Sequence, residues 1–169
     1  MAQTIMVTYA SQTGNTKQVA EAIADELGVS AVPMEATDPS QAECIAVGFW
    51  VHAGKPCEEA TRFLESLAGK KVFLFGTMGA KPSEEHAILS ARAARDMIAE
   101  RNLLLGQFIC QGKLADTIQK EVTTLVRFPY GEPVTLTRDM MADSASHPDA
   151  ADLEAARQEA RKAFAKVRR

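Results

Sequence analysis

Short apolar runs alternate along this chain with longer stretches whose apolar residues recur at helical spacing, and that alternation restricts the fold more than any other feature. Ile5–Tyr9, Cys44–Phe49, Lys71–Phe75 and Leu103–Gln111 read as strands, with Ala31–Glu35 as a shorter one. Cys44–Phe49 is nearly all apolar, as a strand covered on both faces must be. Asn15–Leu27, Glu58–Leu67 and a stretch from Ser83 to Arg101 read as the intervening helices. Gly28 reads as a C-terminal cap and Ser83 as an N-cap. Strands that alternate with helices pair in parallel, because each helix carries the chain back to the same end of the sheet. The expectation is an α/β chain forming one domain over residues 1–169, a three-layer doubly wound fold on a five-stranded parallel sheet. The pattern weakens over residues 113–148, where Pro129, Gly131, Pro133 and Pro148 interrupt it and Arg138–Met141 reads as a short helical turn. That segment is expected to run over the surface before a C-terminal helix at 150–168.

Composition narrows the partners. Of 169 residues, 46% are hydrophobic and 24% charged, which suits a globular chain with a substantial core. A net charge of −3, with no interleaving of basic and aromatic residues, argues against nucleic acid. No apolar run approaches the ~18 residues of a membrane span. Met1–Tyr9 lacks the features of a secretory leader, so a cytoplasmic location is expected. Cys44, Cys57 and Cys110 are scattered, as are His52, His86 and His147, and no metal site is expected.

The segment Ser11-Gln12-Thr13-Gly14-Asn15-Thr16 lies where the first strand hands over to the first helix. It concentrates three hydroxyls, two amides and a glycine that lets the backbone turn tightly. The helix start adds backbone N–H groups and a positive dipole end, and together these suit a phosphate. The loop contains no lysine of the kind that reaches the terminal phosphates of a nucleotide, and it lacks the three glycines of the dinucleotide fingerprint. A tightly held terminal monophosphate fits it better than phosphoryl transfer.

Ligands of doubly wound sheets lie beyond the carboxyl ends of the strands. Two further loops should therefore face the first: Phe49, Trp50, Val51, His52, Ala53, Gly54 and Lys55 after the third strand, and Thr77, Met78, Gly79 and Ala80 after the fourth. Trp50, the only tryptophan, offers a flat face for stacking, or else packs as a core aromatic at the strand end. Alternation along the strand sends Phe49 to the opposite, core side. Cys110 reads as a buried thiol, and Cys57, near a helix start, as one whose pKa could be lowered.

Ser11-x-x-Gly14-x-Thr16, followed by Ala20 and Ile23 and preceded by Val7 and Tyr9, resembles the signature of the flavodoxin family. Thr8 departs from it, where the family has an apolar residue. The resemblance implies sheet order 2-1-3-4-5 and FMN as cofactor, its phosphate on the loop Ser11–Thr16 and its ring between the other two loops. It further implies a peptide at or near Ala53-Gly54 that reorients toward flavin N5 on reduction. No tyrosine occupies the second ring loop, so the ring is open there or covered by Met78. His52, Lys55 and Lys81 either point into solvent or stabilise the reduced anionic flavin. The function implied is an electron carrier with two redox partner proteins, a reductase and an acceptor enzyme. The alternative is an FMN-dependent NAD(P)H oxidoreductase acting on quinones, with Phe128 and Tyr130 over a nicotinamide pocket. The basic residues Arg157, Arg161, Lys162, Lys166, Arg168 and Arg169 either complement the terminal helix dipole or form a docking patch.

Overall fold

The computed structural model describes residues 3–115, 124–126, 134–136 and 138–167. Phe128, Tyr130, Arg168 and Arg169 lie outside the described residues. In chain order the elements are β1 (Ile5–Tyr9), α1 (Asn15–Leu27), β2 (Ala31–Pro33), β3 (Cys44–His52), β4 (Lys55–Pro56), α2 (Glu58–Ser66), β5 (Lys71–Met78), α3 (Glu85–Ile98), β6 (Leu103–Gln111), β7 (Thr124–Val126), β8 (Val134–Leu136), α4 (Arg138–Ser144) and α5 (Ala150–Ala165). Five strands pair in parallel in the order β2-β1-β3-β5-β6. Leaving aside β4, which folds back antiparallel on β3, this is the expected 2-1-3-4-5 arrangement. β7 and β8 form a separate antiparallel pair.

Alternation along the central strands divides the core between the two faces of the sheet. Phe73 and Phe75 join Val7, Tyr9 and the inner residues of α1 and α5, among them Val19, Ile23, Ala160 and Phe164. Val72 and Leu74 join Ile45, Val47 and Phe49 against Leu64 of α2 and Ala94 and Ile98 of α3. Phe49 is fully buried there, so its side chain packs in the core, as alternation along the strand predicts.

Two strands run longer than the sequence suggests. β5 continues through Gly76 to Met78, and β3 through Gly48 to His52. In register, Gly48 pairs with Phe75 and Phe49 pairs with Gly76. A Cβ on Gly48 would lie 2.3 Å from the Phe75 ring, and one on Gly76 2.6 Å from Phe49 Cε2. Each ring lies across the glycine of the neighbouring strand, so these glycines make room for rings and do not end strands.

Other boundaries shift for local reasons. β2 ends at Pro33, beyond which Met34–Ala36 tighten into a 3-10 turn. Ser83 is not the cap of α3. Glu84 takes that place because its N–H bonds to Lys81 O and its carboxylate accepts from Lys81 N, closing a turn first. At the other end Asn102 donates to Ile98 O and Leu67 O, and α3 stops at Ile98. α4 extends the expected turn to Ser144, and α5 begins at Ala150 behind a capping box of Asp149 and Asp152. The buried Thr8 keeps its hydroxyl satisfied by Thr37 Oγ1 at 2.9 Å.

Candidate functional site

The turn into α1, the β3–β4 hairpin and the end of β5 meet at the carboxyl ends of the strands. Gly14 stands at the N-cap of α1 with φ 95°, and a Cβ there would meet nothing within 4 Å, so the backbone conformation, not crowding, selects glycine. Ser11 Oγ accepts from the N–H of Gly14 at 3.1 Å and of Lys17 at 3.3 Å. A hydroxyl has two lone pairs and one proton. With both lone pairs engaged, Ser11 is left as a donor. No acidic residue sits in the first turn of α1, so nothing there opposes an anion at the positive end of the dipole.

The other expected phosphate side chains divide. Thr13 and Gln12 are exposed, and Asn15 donates its amide to Lys113 O at 2.8 Å. Thr16 is 1% exposed and its Oγ1 lies 2.9 Å from Thr77 Oγ1, so its hydroxyl faces inward. The donor set facing outward is Ser11, Thr13 and the N–H groups of the first turn. That set of hydroxyls and N–H groups fits a terminal phosphate.

The hairpin places Trp50, Val51 and His52 on β3 opposite β4, with Val51 paired to Pro56 and His52 to Lys55. Ala53 and Gly54 form its two-residue turn with φ 48° and 78°. Both residues at positive φ make a turn whose twist suits a hairpin, and Ala53 is the strained one. Trp50 is half-buried, and its ring meets that of His52 edge-on at 5.4 Å. His52 and Lys55 are exposed.

In the sheet, Trp50 of β3 neighbours Thr77 of β5, which neighbours Cys110 of β6. Thr77, Met78 and Ala80 are buried, and Met78 packs with Ala80, Ala87 and Val51. Met78 packs beneath the loop, where the small residues Ala80 and Ala87 leave it a place inside. Lys81 lies 3.3 Å from Asp143 of α4, whose carboxyl is held below its usual range first by the Gln111 amide and then by Lys81. A pocket of about 330 Å³ opens beside this loop, lined by Gly79, Lys81, Gln111, Asp139 and Asp143 among others.

Gly112 and Leu114 belong to the same neighbourhood. Gly112 N–H donates to Met78 O, and a Cβ on Gly112 would lie 2.7 Å from Asn15 Nδ2. Gly112 thus serves the close approach of Asn15. Leu114 lies across Gly79, where a Cβ would come within 2.2 Å of its Cδ2. Nothing in the strand and helix pattern marks Leu114, since it follows β6 in a stretch without periodicity.

All three cysteines are buried; burial raises the Cys44 and Cys57 thiols and pushes Cys110 up to about 12. For Cys57 this reverses the expectation of a lowered pKa: desolvation at the start of α2 outweighs the hydrogen bonds it receives there. The basic end of α5 is largely paired. Arg161 holds Glu26 of α1 through two bonds of 2.6 and 2.8 Å, Lys162 meets Glu159 and Arg157 meets Glu154. No helix among the described residues is long and apolar enough to cross a membrane.

Residues 6–161 match the family model described as Flavodoxin domain. The flavodoxin-like domain-containing protein BilS of Clostridioides difficile (strain CD3) is 31% identical over 152 residues, covering 85% of this chain and 86% of BilS. Oxidised flavodoxin 2 from Bacillus cereus superposes with a TM-score of 0.61 at 23% identity, covering 96% of this chain and 98% of that one. A flavoprotein from Lactobacillus acidophilus NCFM, solved in complex with FMN, superposes with a TM-score of 0.52 at 14% identity, covering 64% of this chain and 94% of that one.

Proposed function

This chain belongs to the flavodoxin-domain family, and on that premise we propose that it binds FMN and carries electrons between a reductase and an acceptor enzyme. The observation that carries the reading is the convergence of the Ser11–Thr16 turn, the Trp50 hairpin and the Thr77–Ala80 loop at one end of the sheet, tied by the Thr16–Thr77 and Asn15–Lys113 bonds. The FMN bound to the Lactobacillus acidophilus flavoprotein supports the choice of cofactor.

Ser11, Thr13 and the first-turn N–H groups of α1 hold the phosphate in this reading. Trp50 gives one wall for the ring, and the backbone of the hairpin turn and of Thr77–Ala80 borders its edge. Bound flavin supplies the one- and two-electron chemistry, and the protein sets access and potential. Lys55 is exposed on the hairpin and contributes positive charge beside the ring, whereas the charge of Lys81 is offset by Asp143. The chain works in the cytoplasm.

Anaerobic reductive titration of the FMN-loaded protein tests the reading. A carrier shows two resolved one-electron steps and accepts electrons from NAD(P)H only when a reductase is added. Rapid direct reduction by NAD(P)H alone would replace the carrier by a self-sufficient oxidoreductase.

A further inference from the structure

We infer that Thr77 is a positioning residue for phosphate recognition: its buried hydroxyl holds Thr16, and with it the first turn of α1, at the spacing a flavin ring and its phosphate must span. This rests on the FMN reading above and adds a residue that acts without touching the phosphate.

Thr16 and Thr77 are 61 residues apart in sequence, yet their hydroxyls lie 2.9 Å apart and both residues are at most 2% exposed. Thr16 occupies the first turn of α1, where the N–H groups have no partner within the helix. Thr77 sits on β5 beside Trp50 in the sheet, directly beneath the loops assigned to the ring. The bond therefore links the two halves of the site, the anion-binding turn and the ring-bordering loops, at the carboxyl end of the sheet. Each hydroxyl is satisfied by the other in a place that water does not reach. Removing one leaves the other a buried polar group without its partner, which the turn can relieve only by moving. A shift of the turn moves the phosphate donors relative to the ring loops, and FMN engages both together. Riboflavin has the same ring and no phosphate, so it reports on the ring loops alone.

Dissociation constants for FMN and riboflavin, measured on the full chain, separate these roles. Thr77→Val keeps the shape and removes the hydroxyl. The expected result is a roughly fivefold to tenfold loss of FMN affinity, the size of one net hydrogen bond, with riboflavin affinity unchanged. Thr77→Ser keeps the hydroxyl and retains the wild-type FMN-to-riboflavin ratio. In a Thr16→Val background, Thr77→Val has no further effect on that ratio, because the partner it acts through is gone. Equal loss of both flavins, or an unchanged ratio, overturns the proposal and leaves Thr77 a structural residue only. If Thr77→Val does not fold, Thr77→Cys replaces it, with a similar volume and a weak donor, and an unchanged ratio there overturns the proposal equally. A wild-type chain that binds neither flavin refutes the FMN reading itself, and this inference falls with it.

Discussion

Alanine at position 76 probes the packing that carries β3 and β5 out to the site. The added Cβ would lie 2.6 Å from Phe49 Cε2, 2.9 Å from Cζ and 3.2 Å from Cδ2. Real carbon atoms do not approach so closely, and the Phe49 ring cannot swing into solvent because it is fully buried in the core between the sheet and the helices α2 and α3. Relief requires the ring to leave its rotamer or the strands to part, and overpacking of this kind costs about 1–3 kcal/mol. For a domain of this size each kcal/mol lowers Tm by about 2–4 °C. Thermal unfolding of Gly76→Ala without flavin should show a clear drop. Phe49→Leu costs stability alone but should recover part of the Gly76→Ala loss when the two are combined, since the clash is then removed. A Gly76→Ala protein as stable as wild type would refute the assignment of the Phe49 ring to the face of Gly76.

The remaining predictions concern the turn, the charges and a titrating contact. Ala53→Gly relieves a left-handed backbone at φ 48° and should raise stability by up to about 1 kcal/mol, less the entropy glycine adds to the unfolded chain; a destabilised variant in denaturant unfolding would contradict the strained hairpin turn. His147 hydrogen-bonds Asp152 at 2.6 Å, which raises its pKa above the ordinary 6.5. A raised value means its stabilisation is complete below the ordinary value and is lost as pH rises through the raised one. Wild type should therefore exceed His147→Gln in stability most in mildly acidic buffer and least in alkaline buffer, and a gap independent of pH in parallel denaturant titrations would contradict the contact. Among the described residues Lys55 has no ion-pair partner while Lys81 faces Asp143 at 3.3 Å. Potentiometry of the FMN-loaded protein should find a more negative flavin potential in Lys55→Gln and a smaller change in Lys81→Gln; the reverse order would remove Lys55 from the ring's surroundings.

Much of the frame is legible in the sequence because its signals are local. β1, α1 and β6 begin and end where periodicity and the Gly28 cap put them. Gly28 takes φ 72° and receives the end of α1 as a left-handed cap does. Elsewhere a tertiary neighbour decides. Gly76 reads as a strand end until the Phe49 ring is known to lie across it, and Ser83 reads as a cap until Glu84 closes a turn onto Lys81. The site divides the same way. The phosphate turn is contiguous in sequence and its composition announces it. The inward rotation of Thr16 and the arrival of Gly112 and Leu114 depend on segments about 30 to 100 residues away, and no local pattern encodes them. Cys57 shows the same limit in electrostatics, because a helix start lowers a thiol pKa only where water or charge reaches it.

Titration of the flavin-free chain with FMN, followed by flavin fluorescence, tests the central claim most directly. One FMN per chain should bind saturably, with strong quenching as the ring meets Trp50 and much weaker quenching in Trp50→Leu. Fluorescence that never saturates, or binding whose quenching ignores Trp50, would contradict it.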